Sequence, residues 1–327
     1  MYLLLLLVER LAVELQKEGI KHFFLPIRLS KFISGLLLKR IVEKYNIDLI
    51  HANSEAAGIV AVKTRNKYKL DIPIVYTAHG VLPAKVKDIM NQVDKIIAVS
   101  EFSRKSAIKE GFLAEKIQVI YNGVDTDKFK PNRQNKNLLR KKYNIPQEAF
   151  TMIIVSRIKN LRNKGHQHLL DVLKNYEVSK KWHLVVIGKG KGFSDLKKKI
   201  KEYHLQDRVH LLGHKTDVEN YIDIADVMVL PSYFETFGLV LAEGMAMQKP
   251  AIAFNVGGIS EVISDKETGF LVKYNDDDDL VNKINILAQD KDLCSKMGIN
   301  ARKKVEKDFA NQIMIKKIIE IYVSIKK

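Results

Sequence analysis

Cysteine is nearly missing from this chain of 327 residues: Cys294 stands alone. One thiol builds neither a disulfide framework nor a cysteine-rich metal cluster, so a reducing, cytosolic setting is expected. Proline is sparse at 7 residues and tryptophan occurs once, which removes proline-rich linkers and aromatic repeat signatures from consideration. Long apolar runs are also lacking. The longest, Met1–Val8, is too short for a bilayer, which needs about 20 residues. It does not read as a secretory signal, because no basic segment precedes it and Glu9-Arg10 follow at once.

What the chain has in excess is positive charge, a formal +17 that leans toward the first half. Phosphorylated ligands or an anionic membrane surface account for such an excess. No zinc pattern or aromatic RNA-binding strand accompanies it, so nucleic acid is not an expected partner. A generally lysine-rich protein is the plainer account of the same charge.

Short apolar runs alternate with helix-period segments along the whole chain, the pattern of parallel, doubly wound α/β domains. Strands are expected at 22–26, 49–52, 74–77, 94–100, 152–155, 183–187, 209–212, 227–230 and 250–254. Helices are expected at 9–19, 30–45, 54–67, 101–110, 166–173, 218–224, 281–306 and 312–325. Ser100 is placed to cap the fourth of these helices. The run Asp276–Asp279 reads as a helix N-terminus, where carboxylates meet unpaired N–H groups, and not as a metal site. The polar, basic stretch 133–150 separates a first domain, 1–132, from a second, 151–308. The final helix, 309–327, is assigned back to the first.

The densest chemical signal is Val229–Gly258. A strand leads into a loop holding Glu235, a helix opens at Phe237-Gly238, and Glu243 follows two turns on. The unpaired N–H groups of Phe237, Gly238 and Leu239 at such a tip favour an anion. Gly238 and Gly244 let a ligand or backbone approach closely. The arrangement suits a ligand with phosphate in its middle and hydroxyls at its ends.

Ser232, Glu235, Phe237, Gly238, Leu239, Glu243, Met245, Ala246 and Pro250, with Gly257-Gly258 downstream, resemble the signature of the retaining nucleotide-sugar glycosyltransferases of family four. That resemblance implies the GT-B fold, two Rossmann-like domains facing each other across a cleft, with the donor on the second. It implies transfer of a sugar from a UDP- or GDP-sugar to a saccharide or lipid-linked hydroxyl, in envelope polysaccharide, lipopolysaccharide or glycolipid synthesis. No metal is implied. The protein would be cytoplasmic, at most peripheral on the inner membrane face.

By the same resemblance, Glu235 meets the sugar's hydroxyls, Glu243 the ribose, and His79 the sugar or acceptor. Arg157 and Lys164 reach the diphosphate, with Arg162 as a rival because the Arg-to-Lys spacing is long and Ser156 replaces the usual glycine. Gly188, in Gly188-Lys-Gly-Lys-Gly192, falls near the nucleotide. One departure is large: the family's first strand and glycine-rich loop are absent here or reduced to the leucine run. That departure leaves open a truncated, non-catalytic nucleotide-sugar binding subunit, and a GT-B nucleotide-sugar epimerase is a separate alternative.

Overall fold

The computed structural model describes residues 2–5, 15–27, 29–132 and 134–325. They form two compact units, Met1–Ile120 with Lys316–Lys327, and Tyr121–Ile315. Each is built on parallel strands.

In the first unit, β1 (Tyr2–Leu5) pairs in parallel with β2 (Lys21–Phe24). Of the two alternatives for the family's first strand, absent or reduced to the leucine run, the second holds: Tyr2–Leu5 of that run is a strand. Residues 6–14, where the glycine-rich loop and most of the helix 9–19 were sought, lie outside the described residues. A second sheet holds β3 (Ile50–Ala52), β4 (Ile74–Ala78), β5 (Lys95–Ala98) and β6 (Ile117–Val119), in that order and all parallel. Every residue of β4 is buried, as expected of a strand covered on both faces. Ser30, Ser54 and Ser100 cap the helices Lys31–Lys44, Glu55–Tyr68 and Glu101–Lys109 with their hydroxyls.

The second unit carries six parallel strands in the order β12-β11-β10-β7-β8-β9: β7 (Phe150–Val155), β8 (Trp182–Ile187), β9 (Val209–Gly213), β10 (Val227–Leu230), β11 (Ala251–Phe254) and β12 (Gly269–Val272). The chain winds outward from β7 in one direction and from β10 in the other. Adjacent β7 and β10 are thus the switch point, the place where open α/β sheets receive ligands beyond their strand ends.

Three boundaries differ from expectation. The units divide after Ile120, not within 133–150. Residues Tyr121–Phe129 belong to the second unit because Val124 N–H donates to Phe309 O at 2.7 Å and Asn311 N–H to Val124 O at 2.9 Å. The supposed linker holds a helix, Gln134–Lys142, whose buried Arg140 reaches Asp226 at 3.0 Å. Finally, 281–306 is two helices, Asp277–Gln289 and Lys291–Lys304, because the Asp290 side chain accepts the N–H of Leu293 and starts the second. Asp276 caps the first of them, accepting from Asp279 N–H at 3.0 Å, as its sequence position suggested.

Candidate functional site

The loops leaving β7 and β10 are laced together. Tyr233 N–H donates to Asn163 O at 3.1 Å. Gly165, at φ +79°, lies so near Pro231 that a Cβ there would sit 2.0 Å from the Pro231 carbonyl oxygen. Only glycine tolerates both the angle and the approach. Lys164 is carried on this crossing, and its Nζ donates to Glu235 Oε1 at 2.5 Å. Ser232 Oγ donates to the same oxygen at 2.9 Å. Among the described residues Oε2 of Glu235 has no partner.

Glu235 is held from the other side by the turn after β11. Gly258 N–H donates to Glu235 O at 3.0 Å, and a Cβ on Gly257 would stand 1.8 Å from that oxygen. The two glycines of the motif are therefore packing positions for the Glu235 backbone.

Gly238, at φ +90°, opens the helix Leu239–Ala246 and offers no side-chain cap. Among the described residues the N–H groups of Phe237, Gly238 and Leu239 find no acceptor, which leaves an electropositive tip two residues from Glu235. The Phe237 ring faces inward: it is buried, stacked on Tyr121 with centroids 5.8 Å apart, and edge-on to Phe309 at 5.3 Å. Its side chain anchors the tip; only its backbone faces the opening.

Glu243, further along that helix, is half-buried, and its burial pushes the carboxyl pKa up to about 7. Lys128 opposes this shift and Glu219 adds to it. Lys128 and Glu219 themselves approach to 3.6 Å. Neither residue stood out in the sequence, where 91 positions and several elements separate them.

Arg157 and Arg162 are exposed on the basic loop. Asn160 Oδ1 accepts the N–H groups of Arg162 and Asn163, at 3.1 and 2.8 Å, and so turns the loop toward Lys164. Of the two rival cations, Lys164 is the one brought to Glu235. Gly188 packs beneath the loop that follows β7. Its N–H donates to Gly213 O at 2.8 Å, and a Cβ would lie 1.9 Å from Ser156 O. Gly192 N–H likewise donates to Ile158 O at 3.0 Å. The glycine-rich loop is a bed for the Ser156–Asn160 segment.

His166 follows Gly165 and is buried, with Nε2 3.4 Å from Ser156 Oγ and Nδ1 without a hydrogen-bond partner. Burial, helped by Lys164, lowers its pKa to about 4 and keeps the ring neutral. The Ser156 hydroxyl is thus met by an imidazole.

His79 lies in the first unit, at the end of β4. Nearby, His51 Nδ1 hydrogen-bonds the Tyr322 hydroxyl, and its Nε2 pairs with Thr77 Oγ1 at 2.7 Å. Burial, then His79, lowers the His51 pKa to about 4, and desolvation also lowers that of His79. Both rings are neutral near pH 7.

Two units of parallel α/β, one with a carboxylate–ammonium pair beside a bare helix tip at its switch point, define a glycosyltransferase of the GT-B class. The chain belongs to the family Glycosyl transferases group 1, which matches residues 135–304, and residues 8–128 match Glycosyltransferase Family 4. It is 32% identical over 300 residues to an uncharacterised glycosyltransferase of Methanocaldococcus jannaschii, covering 87% of this chain and 77% of that one. It is 28% identical to the N-acetyl-alpha-D-glucosaminyl L-malate synthase of Bacillus anthracis, covering 88% and 77%. Among solved structures, Anabaena HepE in complex with UDP and glucose superposes with a TM-score of 0.85 at 25% identity, covering 96% of this chain and 89% of that one. A glycosyltransferase from Rickettsia africae superposes equally well, at 0.85, with 26% identity and coverage of 99% and 90%.

Proposed function

We propose that this glycosyltransferase moves a sugar from a nucleoside diphosphate donor to an acceptor hydroxyl with retention of anomeric configuration. One observation carries the reading: the Lys164–Glu235 pair, 2.5 Å apart, stands beside the uncapped tip Phe237–Leu239 at the switch point of the second unit. The barrier to transfer is departure of the diphosphate from an oxocarbenium-like centre. Lys164, Arg157 and the three tip N–H groups stabilise the charge that grows on the leaving oxygen, and one such donor is worth about 2.7–4 kcal/mol. Arg162, which makes no hydrogen bond or ion pair with Glu235 among the described residues while Lys164 does, plays a lesser part. Glu235 holds the sugar's hydroxyls and Glu243 those of the ribose. The His79 imidazole, neutral at pH 7, exchanges a hydrogen bond with a hydroxyl of the sugar or acceptor.

The relatives support a nucleotide-sugar donor. HepE is described with UDP and glucose, and an Escherichia coli relative is a galactosyltransferase that uses a UDP-sugar and a diphosphoundecaprenol-linked acceptor. A saccharide or lipid-linked acceptor in polysaccharide or glycolipid synthesis follows by analogy, with no metal in the chemistry and the work done at the cytoplasmic membrane face. Thermal unfolding against UDP-, GDP- and ADP-sugars tests the donor. The right one, at 100 times its dissociation constant, stabilises the fold by about 2.7 kcal/mol; no response to any of them sinks the reading. The anomer of the isolated product then tests retention.

A further inference from the structure

The helix Lys31–Lys44 is more apolar than its packing requires. Ser30 caps it, accepting Ile33 N–H at 3.2 Å, and the inward face is Ser34, Gly35, Leu38 and Val42. A Cβ on Gly35 would lie 2.8 Å from Thr64 Oγ1, so the helix Glu55–Tyr68 packs closely there. That leaves the first turn pointing away from the core. Leu29 is 87% exposed, Phe32 67% and Ile33 50%. Among the described residues no other large apolar side chain is as exposed as Leu29.

Charge surrounds these three side chains. The two helices carry four and three basic residues, with one acidic residue each. Lys67 Nζ sits 4.5 Å from the centre of the Phe32 ring, and Lys31, Arg40 and Lys63 are exposed. Lysine is depleted from the cores of protein–protein interfaces. Apolar tips ringed by lysine and arginine are instead what holds a protein at an anionic lipid surface, the rings sinking to the acyl boundary while ammonium groups meet phosphates.

We propose that Leu29, Phe32 and Ile33, with Lys31 and Lys67, form the contact by which this enzyme docks on an anionic bilayer. This deepens the placement at the membrane face argued above, and it stands apart from the donor reading because docking needs no donor. The test is flotation of the full chain with vesicles of phosphatidylglycerol in phosphatidylcholine, against phosphatidylcholine alone, in about 0.1 M salt, where charges are felt over about 10 Å. The wild type is expected to float only with the anionic vesicles. The L29S/F32S/I33S variant should lose about tenfold or more in partitioning, and K31E/K67E a comparable factor that shrinks as salt is raised. Both variants should keep the wild-type melting temperature and the same shift with UDP. Failure of the wild type to bind anionic vesicles, or equal binding by both variants, overturns the proposal. A concentration-dependent dimer abolished by the same substitutions would also overturn it, by giving the face to a second copy. Vesicle binding lost while UDP still stabilises condemns the docking face alone.

Discussion

The strand ends of the two units solve different problems with different chemistry. In the second unit the strand ends carry charge: an ammonium on a carboxylate, a bare helix tip, and exposed arginines nearby. In the first they carry neutral rings, His79 and a His51 tied to Thr77 and Tyr322. Desolvation lowers the pKa of both histidines, so that end of the sheet presents hydrogen bonds without net charge. The difference teaches that parallel strands do not by themselves dictate a site; the loops beyond the carboxyl ends do. A charged mouth suits a diphosphate, and an uncharged one suits hydroxyls.

That contrast can be broken from the charged side first. Gly165→Ala should cost the second unit about 3 kcal/mol or more, since the new Cβ meets the Pro231 carbonyl at a left-handed φ. Thermal denaturation should show it, with donor-induced stabilisation lost as the Lys164 loop moves. Glu235→Ala should lower the turnover of the sugar about a hundredfold or more while UDP affinity stays within a few-fold. Equal losses in both would move Glu235 from the sugar to the nucleotide. Lys164→Ala should weaken UDP binding about tenfold, and Arg162→Ala clearly less, by calorimetry side by side. The reverse order would hand the phosphate role to Arg162.

Acidity sharpens the comparison most gently. A carboxyl raised to about 7, as in Glu243, is ionised only above neutrality, so UDP affinity should rise severalfold through that region. Glu243→Gln should flatten the profile. The first unit moves with the opposite kind of group. His51 has a folded pKa of about 4 against 6.5 unfolded, so acid favours the unfolded chain and stability falls as pH drops through that window. His51→Gln should remove part of that loss in an acid titration of unfolding free energy, the other buried histidines supplying the rest.

Much of this was legible before any coordinates. Alternating apolar runs located nine strands but passed over the short β6 and β12, and Ser100 and the Asp276–Asp279 run marked two helix starts. The pair Phe237-Gly238 marked the bare tip because a glycine there is a local, backbone requirement. Features set by distant parts of the chain were not legible. Lys164 and Glu235 meet because β7 and β10 are neighbours in the sheet, a fact no window around either residue contains. Lys128 and Glu219 near Glu243 were invisible for the same reason. The packing of Gly188 under Ser156 was equally hidden, because a glycine beneath another loop and a glycine beneath a phosphate look alike in sequence. The break at Asp290 was missed because its capping role shows only once the N–H of Leu293 is seen on its carboxylate.

The glycines at 165 and 257 carry a lesson for anyone redesigning this enzyme. Each has a carbonyl oxygen where a methyl would go, so those two sites admit no variation and a mutant library spread over them would mostly return dead clones. Tyr233, which lies between the two crossings with most of its ring in solvent, is hemmed in by no such neighbour. Diversity introduced there alters the loop beside Glu235 without disturbing the glycine crossings that hold it.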